Sequence, residues 1–430
     1  MRRPFAIWNG TQMSNYKHID APPYGRNSLA SSASIGVDPP SGICSPPAQA
    51  VAQAEVLIAS SLHESGQTGL QTHCRAYRAQ MCAERMPCVL VTPYYAAGLD
   101  VYAMFGLRRL IEPFSKPAGV WWHRRWHAYF LKRSLRQYLA NDQNCVIYAQ
   151  CPPSASAALA ARRSAKQRVV MAVHFNISQA DEWAEKGMIG LNGSMYSAIK
   201  HFESAVLPRL DGLVFVSEFM RRELLARIPA IAPVPYAVIS NFVADTGGQK
   251  TGEATRDLIT IGSLEHRKNQ VYALEIIAAA KRLERPLTLT IVGDGPDRTM
   301  LQNRTRDLGL SSLVRFTGYV PNAAQLMHEH RAYLHTATLE NMPLTLIEAL
   351  SRALPVFAPA VGGIPEIFED GIEGRMFVLE DSMAAAHSVL SLLDSPDLLR
   401  DASAAARSRY LRQFQSADVA KRLTAFLQSV

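Results

Sequence analysis

Short runs of consecutive apolar residues alternate along this chain with longer stretches of helical period. Val56-Leu57-Ile58-Ala59, Cys88-Val89-Leu90-Val91, Val146-Ile147-Tyr148, Val169 to Val173, Leu213 to Val216 and Ala237-Val238-Ile239 are each too short for a helix and apolar throughout. A strand that is apolar on both sides belongs to a sheet covered on both sides, which means parallel strands with crossover helices. The pattern stops at Asp245-Thr246-Gly247-Gly248-Gln249-Lys250-Thr251-Gly252, a linker by composition. It restarts at Leu258-Ile259-Thr260-Ile261. Strands are predicted at 287–292, 314–316, 333–335 and 356–358, and helices at 269–283, 297–308, 322–330 and 343–353. The expected architecture is α/β: two Rossmann-like, doubly wound domains, 54–244 and 253–410, facing a cleft. The linker 245–252 joins them, and a C-terminal helix within 411–430 is expected to cross back to the first domain. Residues 1–53 show no apolar period and read as a disordered leader. Arg2-Arg3 is not followed by an apolar run, so no secretory signal is read there.

Composition narrows the class without naming an activity. Of 430 residues 48% are hydrophobic and 19% charged, which excludes wholesale disorder, collagen and a disulfide scaffold. No run of about 18 uncharged apolar residues exists to form a membrane-spanning helix. The six cysteines form no C-x-x-C pair and read as reduced thiols of a reducing compartment. No H-E-x-x-H occurs, and His328-Glu329-His330 reads as a solvated helix end rather than a metal site. The net charge of +8 asks for an anionic partner.

Ligands of open parallel sheets bind beyond the carboxyl ends of the strands, so the loops after the second half's strands carry the candidate chemistry. After Ile261 comes Gly262-Ser263-Leu264-Glu265-His266-Arg267-Lys268-Asn269. Lys268 sits where a helix begins, so its ammonium and that helix's free N–H groups can meet one phosphate; taken alone, the loop also fits a solvated basic helix start. Gly293-Asp294-Gly295-Pro296 is a tight turn opening the next helix and lacks the Gly-Lys-Ser/Thr of a P-loop. The strongest segment is 338–350. Pro343, Leu346, Ile347, Leu350 and Leu354 line one helix face, with Asn341 as the expected N-cap. Glu340 then lies in the loop ahead of the helix and Glu348 along it, two carboxylates suited to sugar and ribose hydroxyls. Complementing the helix dipole is the plainer role for both.

In order, these segments resemble the retaining GT-B glycosyltransferases of family 4 (glycosyl transferases group 1). The resemblance runs from about Asp257 to Phe377. It rests on Gly262…Lys268-Asn269, Val292-Gly293-Asp294-Gly295-Pro296, Phe316-Thr317-Gly318-Tyr319-Val320-Pro321, the E-x7-E pair Glu340/Glu348, and Gly362-Gly363-Ile364-Pro365-Glu366. The first half is similar less clearly, through Gly66 to Gly69, His174, Val216-Ser217-Glu218-Phe219-Met220 and Ile239-Ser240-Asn241. The resemblance implies Glu340, His174 and Lys268 as catalytic residues. It implies a donor site of Gly262, Ser263, Arg267, Lys268, Gly293, Tyr319, Val320, Asn341, Met342, Pro343, Leu344 and Glu348. Gly66, Thr68 and Gly69 would form a glycine loop toward the acceptor. No metal or cofactor is implied, the nucleotide sugar being a co-substrate and the leaving diphosphate being neutralised by Lys268 and the helix N-terminus. Where the family has Arg after the first Gly of the phosphate loop, this chain has Ser263. A hydroxyl does not replace a guanidinium fork, and Arg267, next to Lys268, is the candidate to compensate from a different backbone position.

Between 101 and 140 eight Lys and Arg residues face Glu112 alone, with Trp121, Trp122, Trp126, Tyr129 and Phe130 among them. Such a stretch suits an anionic membrane interface, with Arg124, Arg125, Lys132 and Arg133 as candidate contacts, or a solvated helix face with Trp in the core. No nucleic-acid-binding motif accompanies the charge. The sequence is therefore read as a peripheral enzyme on the cytoplasmic face of the membrane. It would pass a sugar from a nucleotide-sugar donor to a lipid-linked saccharide acceptor in exopolysaccharide, lipopolysaccharide or glycolipid synthesis. A GT-B nucleotide-sugar 2-epimerase and an inactive GT-B partner subunit are the alternatives.

Overall fold

The structure, a computed structural model, describes residues 55–63, 68–96, 99–245, 247–248 and 254–430. The leader 1–53, Gly66 and most of the linker lie outside the described residues. The first half runs β1 (Val56–Ala59), α1 (Gly69–Ala83), β2 (Cys88–Val91), α2 (Leu99–Ile111), α3 (Lys116–Tyr138), β3 (Cys145–Ala149), α4 (Pro152–Ala161), β4 (Gln167–Val173), α5 (Gln179–Glu185), α6 (Ser194–Val206), β5 (Gly212–Phe215), α7 (Glu218–Arg227) and β6 (Tyr236–Val238). The second runs β7 (Arg256–Ile261), α8 (Gln270–Arg282), β8 (Leu289–Val292), α9 (Arg298–Asp307), β9 (Val314–Gly318), β10 (His330–Leu334), α10 (Leu344–Ser351), β11 (Val356–Pro359), β12 (Gly374–Phe377), α11 (Ser382–Leu393), α12 (Pro396–Gln413) and α13 (Ser416–Ser429).

Among the described residues the strands form two all-parallel sheets of six, ordered β2-β1-β3-β4-β5-β6 and β12-β11-β10-β7-β8-β9. Each order reverses once, between β1 and β3 in the first sheet and between β7 and β10 in the second. Connections leave such a pair of strands on opposite faces, and a crevice opens at their carboxyl ends. The loops after β7 and β10 flank that crevice, and they carry Lys268 and Glu340. The four residues of β1, β2, β8 and β11 are buried throughout, as covered parallel strands require.

The two faces of each sheet are separate cores. One face of the first sheet is closed by the last helix: Val419, Ala420, Leu423 and Leu427 of α13 pack on Val56, Ile58, Tyr148 and Val170. A buried Leu contributes roughly 2–5 kcal/mol on truncation, against about 1 kcal/mol for the Tyr77–Thr424 hydroxyl pair at 3.0 Å. Apolar burial therefore fixes α13 on the first half.

Several expectations are corrected. Cys82, half-buried on α1, is disulfide-bonded, not a reduced thiol. Cys74, Cys88, Cys145 and Cys151 are free, and burial pushes the first two thiols up to about 12. His330 is buried at the start of β10, its Nε2 2.8 Å from Thr290 Oγ1 and its Nδ1 2.8 Å from the Leu326 carbonyl, because the strand begins there. Residues 323–329 before it wind as a 3₁₀ turn. Strand β12 escaped the sequence reading because Gly374-Arg375-Met376-Phe377 is a short, half-exposed edge without an apolar run.

Candidate active site

Three strand ends of the second sheet meet without side chains between them. A Cβ on Gly293, where φ is +139°, would lie 1.9 Å from the Gly262 carbonyl oxygen, so only glycine lets the β7 and β8 loops stack backbone on backbone. The Gly293 N–H donates to the Gly318 carbonyl at 2.9 Å, which adds the β9 loop to the shelf. Tyr319, 60% exposed, and half-buried Val320 stand at its rim. Ser263 is exposed beside it, with its carbonyl accepting from Gln270 Nε2 at 2.9 Å.

Lys268 ends the 3₁₀ turn after β7, and its Nζ donates to Glu340 Oε1 from the β10 loop. Arg267 Nη1 lies 3.2 Å from the same oxygen and donates to the Leu339 carbonyl at 3.2 Å, while Nη2 meets Glu265 at 3.2 Å. The Arg267 fork is thus spread over protein acceptors and does not offer the bidentate face that Ser263 lacks. His335 Nε2 stands 3.6 Å from Glu340 Oε1. Burial alone would raise the Glu340 carboxyl. Lys268, the His335 contact and Arg267 outweigh it and hold the group well below the usual carboxylate range. Glu340 is thus an ionised carboxylate at 7% exposure, with Lys268, Arg267 and His335 gathered on its Oε1.

The α10 helix begins at Leu344, not at Asn341. Pro343 is its N-cap, and no side chain caps the first turn. The reason is that Pro343 takes an extended ψ of 121°, and the Asn341 amide is drawn away to the first half. An uncapped terminus leaves its N–H groups and partial positive charge directed at the cleft. Met342 is buried, its carbonyl accepting from Asn241 Nδ2 at 2.9 Å. Glu348 sits on α10 with its carboxyl pushed up to about 7 by burial, which Arg352 only partly offsets. It therefore changes charge near neutral pH.

From the first half, α1 starts opposite α10: a Cβ on Gly69 would stand 3.6 Å from Leu344 Cδ1. Thr68 precedes it, with its N–H and Oγ1 both on Gln71 Oε1 at 3.0 and 2.8 Å. His174 follows β4, and its Nε2 lies 3.1 Å from Gln150 Oε1. Gln150 Nε2 donates to the Tyr148 carbonyl at 3.2 Å, which turns its oxygen to His174 and places the ring proton on Nε2. Nδ1 is left as an acceptor. Burial lowers His174 to about 4, so the ring is neutral. Ile177, three residues on, holds φ of +51°, unusual for a β-branched residue, and its carbonyl accepts from Arg227 Nη2 at 3.1 Å.

Residues 68–241 match the model of the glycosyl transferase 4-like domain, and residues 248–409 match that of glycosyl transferases group 1. The chain belongs to the GT-B group 1 glycosyltransferases. Among relatives, it is 30% identical over 128 residues to N-acetyl-alpha-D-glucosaminyl L-malate synthase of Bacillus anthracis, covering 30% of this chain and 34% of that protein. It is 25% identical over 257 residues to alpha-maltose-1-phosphate synthase of Mycolicibacterium smegmatis, covering 53% and 66%. The chain thus spans a third to two thirds of these relatives. The crystal structure of Anabaena Alr3699/HepE in complex with UDP superposes with a TM-score of 0.63 at 18% identity, covering 87% of this chain and all of that one. That likeness shows the fold.

In this group 1 glycosyltransferase the sequence reading missed Gln150, His335 and the cross-cleft contacts of Asn341 and Glu366. Gln150 and His335 each follow a strand directly at a switch point, and that position was the signal available. Of the four proposed membrane contacts, Arg124 is corrected. It points inward from α3, donating to Gln179 Oε1 at 2.7 Å and lying 5.1 Å from the Phe202 ring centre. Arg133 is exposed and pairs with Asp100 at 2.6 Å; Arg125 is exposed and Lys132 half-buried.

Proposed function

We propose that this chain transfers a sugar from a nucleotide-sugar donor to a lipid-linked saccharide acceptor, with retention of configuration and without a metal. The observation that carries the reading is the buried Glu340 carboxylate, held ionised by Lys268 beside the uncapped start of α10. In this reading Glu340 accepts from donor sugar hydroxyls, Lys268 and the α10 N–H groups take the diphosphate, and Glu348 takes the ribose. His174 Nδ1 accepts from a sugar hydroxyl across the cleft. The bond from the anomeric carbon to the diphosphate oxygen breaks, and that carbon bonds to the acceptor oxygen on the same face. The acceptor's proton passes to the departing phosphate. Charge growing on the leaving group meets one ammonium and fixed dipoles, the kind of preorganised stabilisation worth about 10²–10³ in rate per donor.

The test is a panel of nucleotide sugars scored first by thermal shift and then by transfer to membrane lipid extract, with anomeric configuration read by NMR. One donor should stabilise the chain, and its transfer should retain configuration and persist after exhaustive chelation. Loss of transfer in EDTA with rescue by magnesium or manganese would overturn the metal-free mechanism. Sugar-nucleotide turnover without acceptor would mark an epimerase instead.

The membrane part of the proposal rests on α2 and α3. Trp121, Arg125, Tyr129 and Arg133 recur every fourth residue on one exposed face of α3, and Leu110 and Phe114, shortly before that helix in the chain, are exposed as well. No helix among the described residues is long and apolar enough to cross a membrane, so attraction would come from charge and aromatic insertion, roughly 1 kcal/mol per basic residue. Reversing Arg125, Lys132 and Arg133 to Glu should abolish co-sedimentation with anionic vesicles and leave transfer to a soluble acceptor intact. Equal binding to anionic and neutral vesicles would remove this part of the reading.

A further inference from the structure

Polar contacts cross from one half of the molecule to the other at a place that donor binding does not explain. Asn341 directly follows Glu340 and is 2% exposed. Its Nδ2 donates to the carbonyls of Val173 and Phe175, each at 3.2 Å, which are the residues on either side of His174. Its Oδ1 accepts from Ser217 Oγ at 2.5 Å. One amide therefore ties the loop carrying Glu340 to the backbone that presents His174; both its donors and its oxygen are used within the protein, so the Asn341 side chain does not join the donor site that the resemblance implied.

Glu366 makes a second tie. Its two carboxylate oxygens accept from the N–H groups of Glu218 and Phe219, both at 2.7 Å. These open α7 of the first half, where free N–H groups and the helix dipole favour an anion. Ser217 Oγ takes the next donor, Met220 N–H, at 3.1 Å. The two ties belong to one rigid piece. A Cβ on Gly362 would fall 2.0 Å from the Glu340 carbonyl oxygen. One on Gly363 would fall 1.9 Å from that of Asn341 and 3.1 Å from Ser217 Cβ.

We propose that Asn341 and Glu366 form a clasp across the cleft that fixes Glu340 relative to His174, and that both are positioning residues for transfer. The proposal rests on the functional reading above. Lys268 and Glu348 lie within the second half alone, so opening the clasp should separate donor affinity from turnover. The test uses the full chain, with UDP as probe, in Asn341→Asp and Glu366→Ala. Asn341→Asp keeps the shape but turns a carboxylate toward two carbonyls. UDP affinity should stay within about threefold, while kcat falls about tenfold or more, the scale of one buried hydrogen bond lost. Glu366→Gln keeps one accepting oxygen and should fall between Glu366→Ala and the unaltered chain. Amide exchange at Glu218 and Phe219 should quicken in Glu366→Ala. Unchanged exchange there, or kcat within about twofold in both variants, would overturn the clasp. So would a parallel loss of UDP affinity and kcat, which marks general structural damage. If the unaltered chain transfers no sugar, the functional reading fails, and the exchange experiment still decides the clasp.

Discussion

Glu340→Gln should cut transfer about a hundredfold or more while the chain still folds. The substitution keeps the volume and removes the charge. A carboxylate accepting from two sugar hydroxyls supplies two charge-assisted hydrogen bonds, each worth roughly 1.5–3 kcal/mol. Their loss predicts a fall of roughly 10²- to 10⁴-fold in kcat/KM, since about 1.4 kcal/mol is tenfold. Lys268 and Arg267 would lose a shared partner, and removing one member of such a pair is destabilising; both are about one fifth exposed, so water softens the effect. The pH dependence gives an independent reading. The Glu340 carboxyl lies well below its ordinary value of 4.5 in the folded chain. Its contribution to stability is thus complete above that value and is lost as pH falls through the folded-state value. Glu340→Gln should flatten the acid side of the melting profile below about pH 4.5. Turnover near that of the unaltered chain in a folded Glu340→Gln protein would sink the assignment.

The alternation of apolar runs and helical periods made the two sheets legible, because strands covered on both faces must be apolar at every position. Glycines were legible as loop markers, and their reason appears only in space: Gly293 and Gly362 are where one loop's backbone rests on another's. What the chain order could not carry were contacts between segments more than a hundred residues apart. Asn341 has the spacing of an N-cap for α10, and local geometry alone favours that role. It is overridden because two backbone carbonyls and the Ser217 hydroxyl of the facing half offer its amide a fuller set of partners. Arg124 likewise belongs by charge to the basic stretch, yet its position along α3 turns it to Gln179 and Phe202. A run of charge reveals how many cations a segment has. The helix phase decides which of them reach the surface, and here it selects Arg125 and Arg133.

Lys268→Met should weaken nucleoside diphosphate binding by roughly ten- to a hundredfold, the value of one charge-assisted contact of about 1.5–3 kcal/mol. The lysine has a second duty that makes the effect on turnover larger. Its Nζ holds Glu340, and it is the first of the groups that keep that buried carboxylate ionised. Without the ammonium, burial is opposed only by Arg267 and His335, so the Glu340 carboxyl should climb toward its ordinary range. The kcat loss in Lys268→Met should therefore exceed the loss of affinity and ease as the pH is raised, which a binding defect alone would not do. Lys268→Arg restores the charge but not the compact three-donor head, and should recover affinity better than turnover. Isothermal titration with UDP, set beside kcat from pH 5 to 8, separates the two duties. Arg267 already meets Glu265, Glu340 and the Leu339 carbonyl, so it has little reach left with which to replace Lys268. Unchanged UDP affinity in Lys268→Met would mean that the α10 terminus alone holds the diphosphate, and the lysine's role would shrink to keeping Glu340 charged.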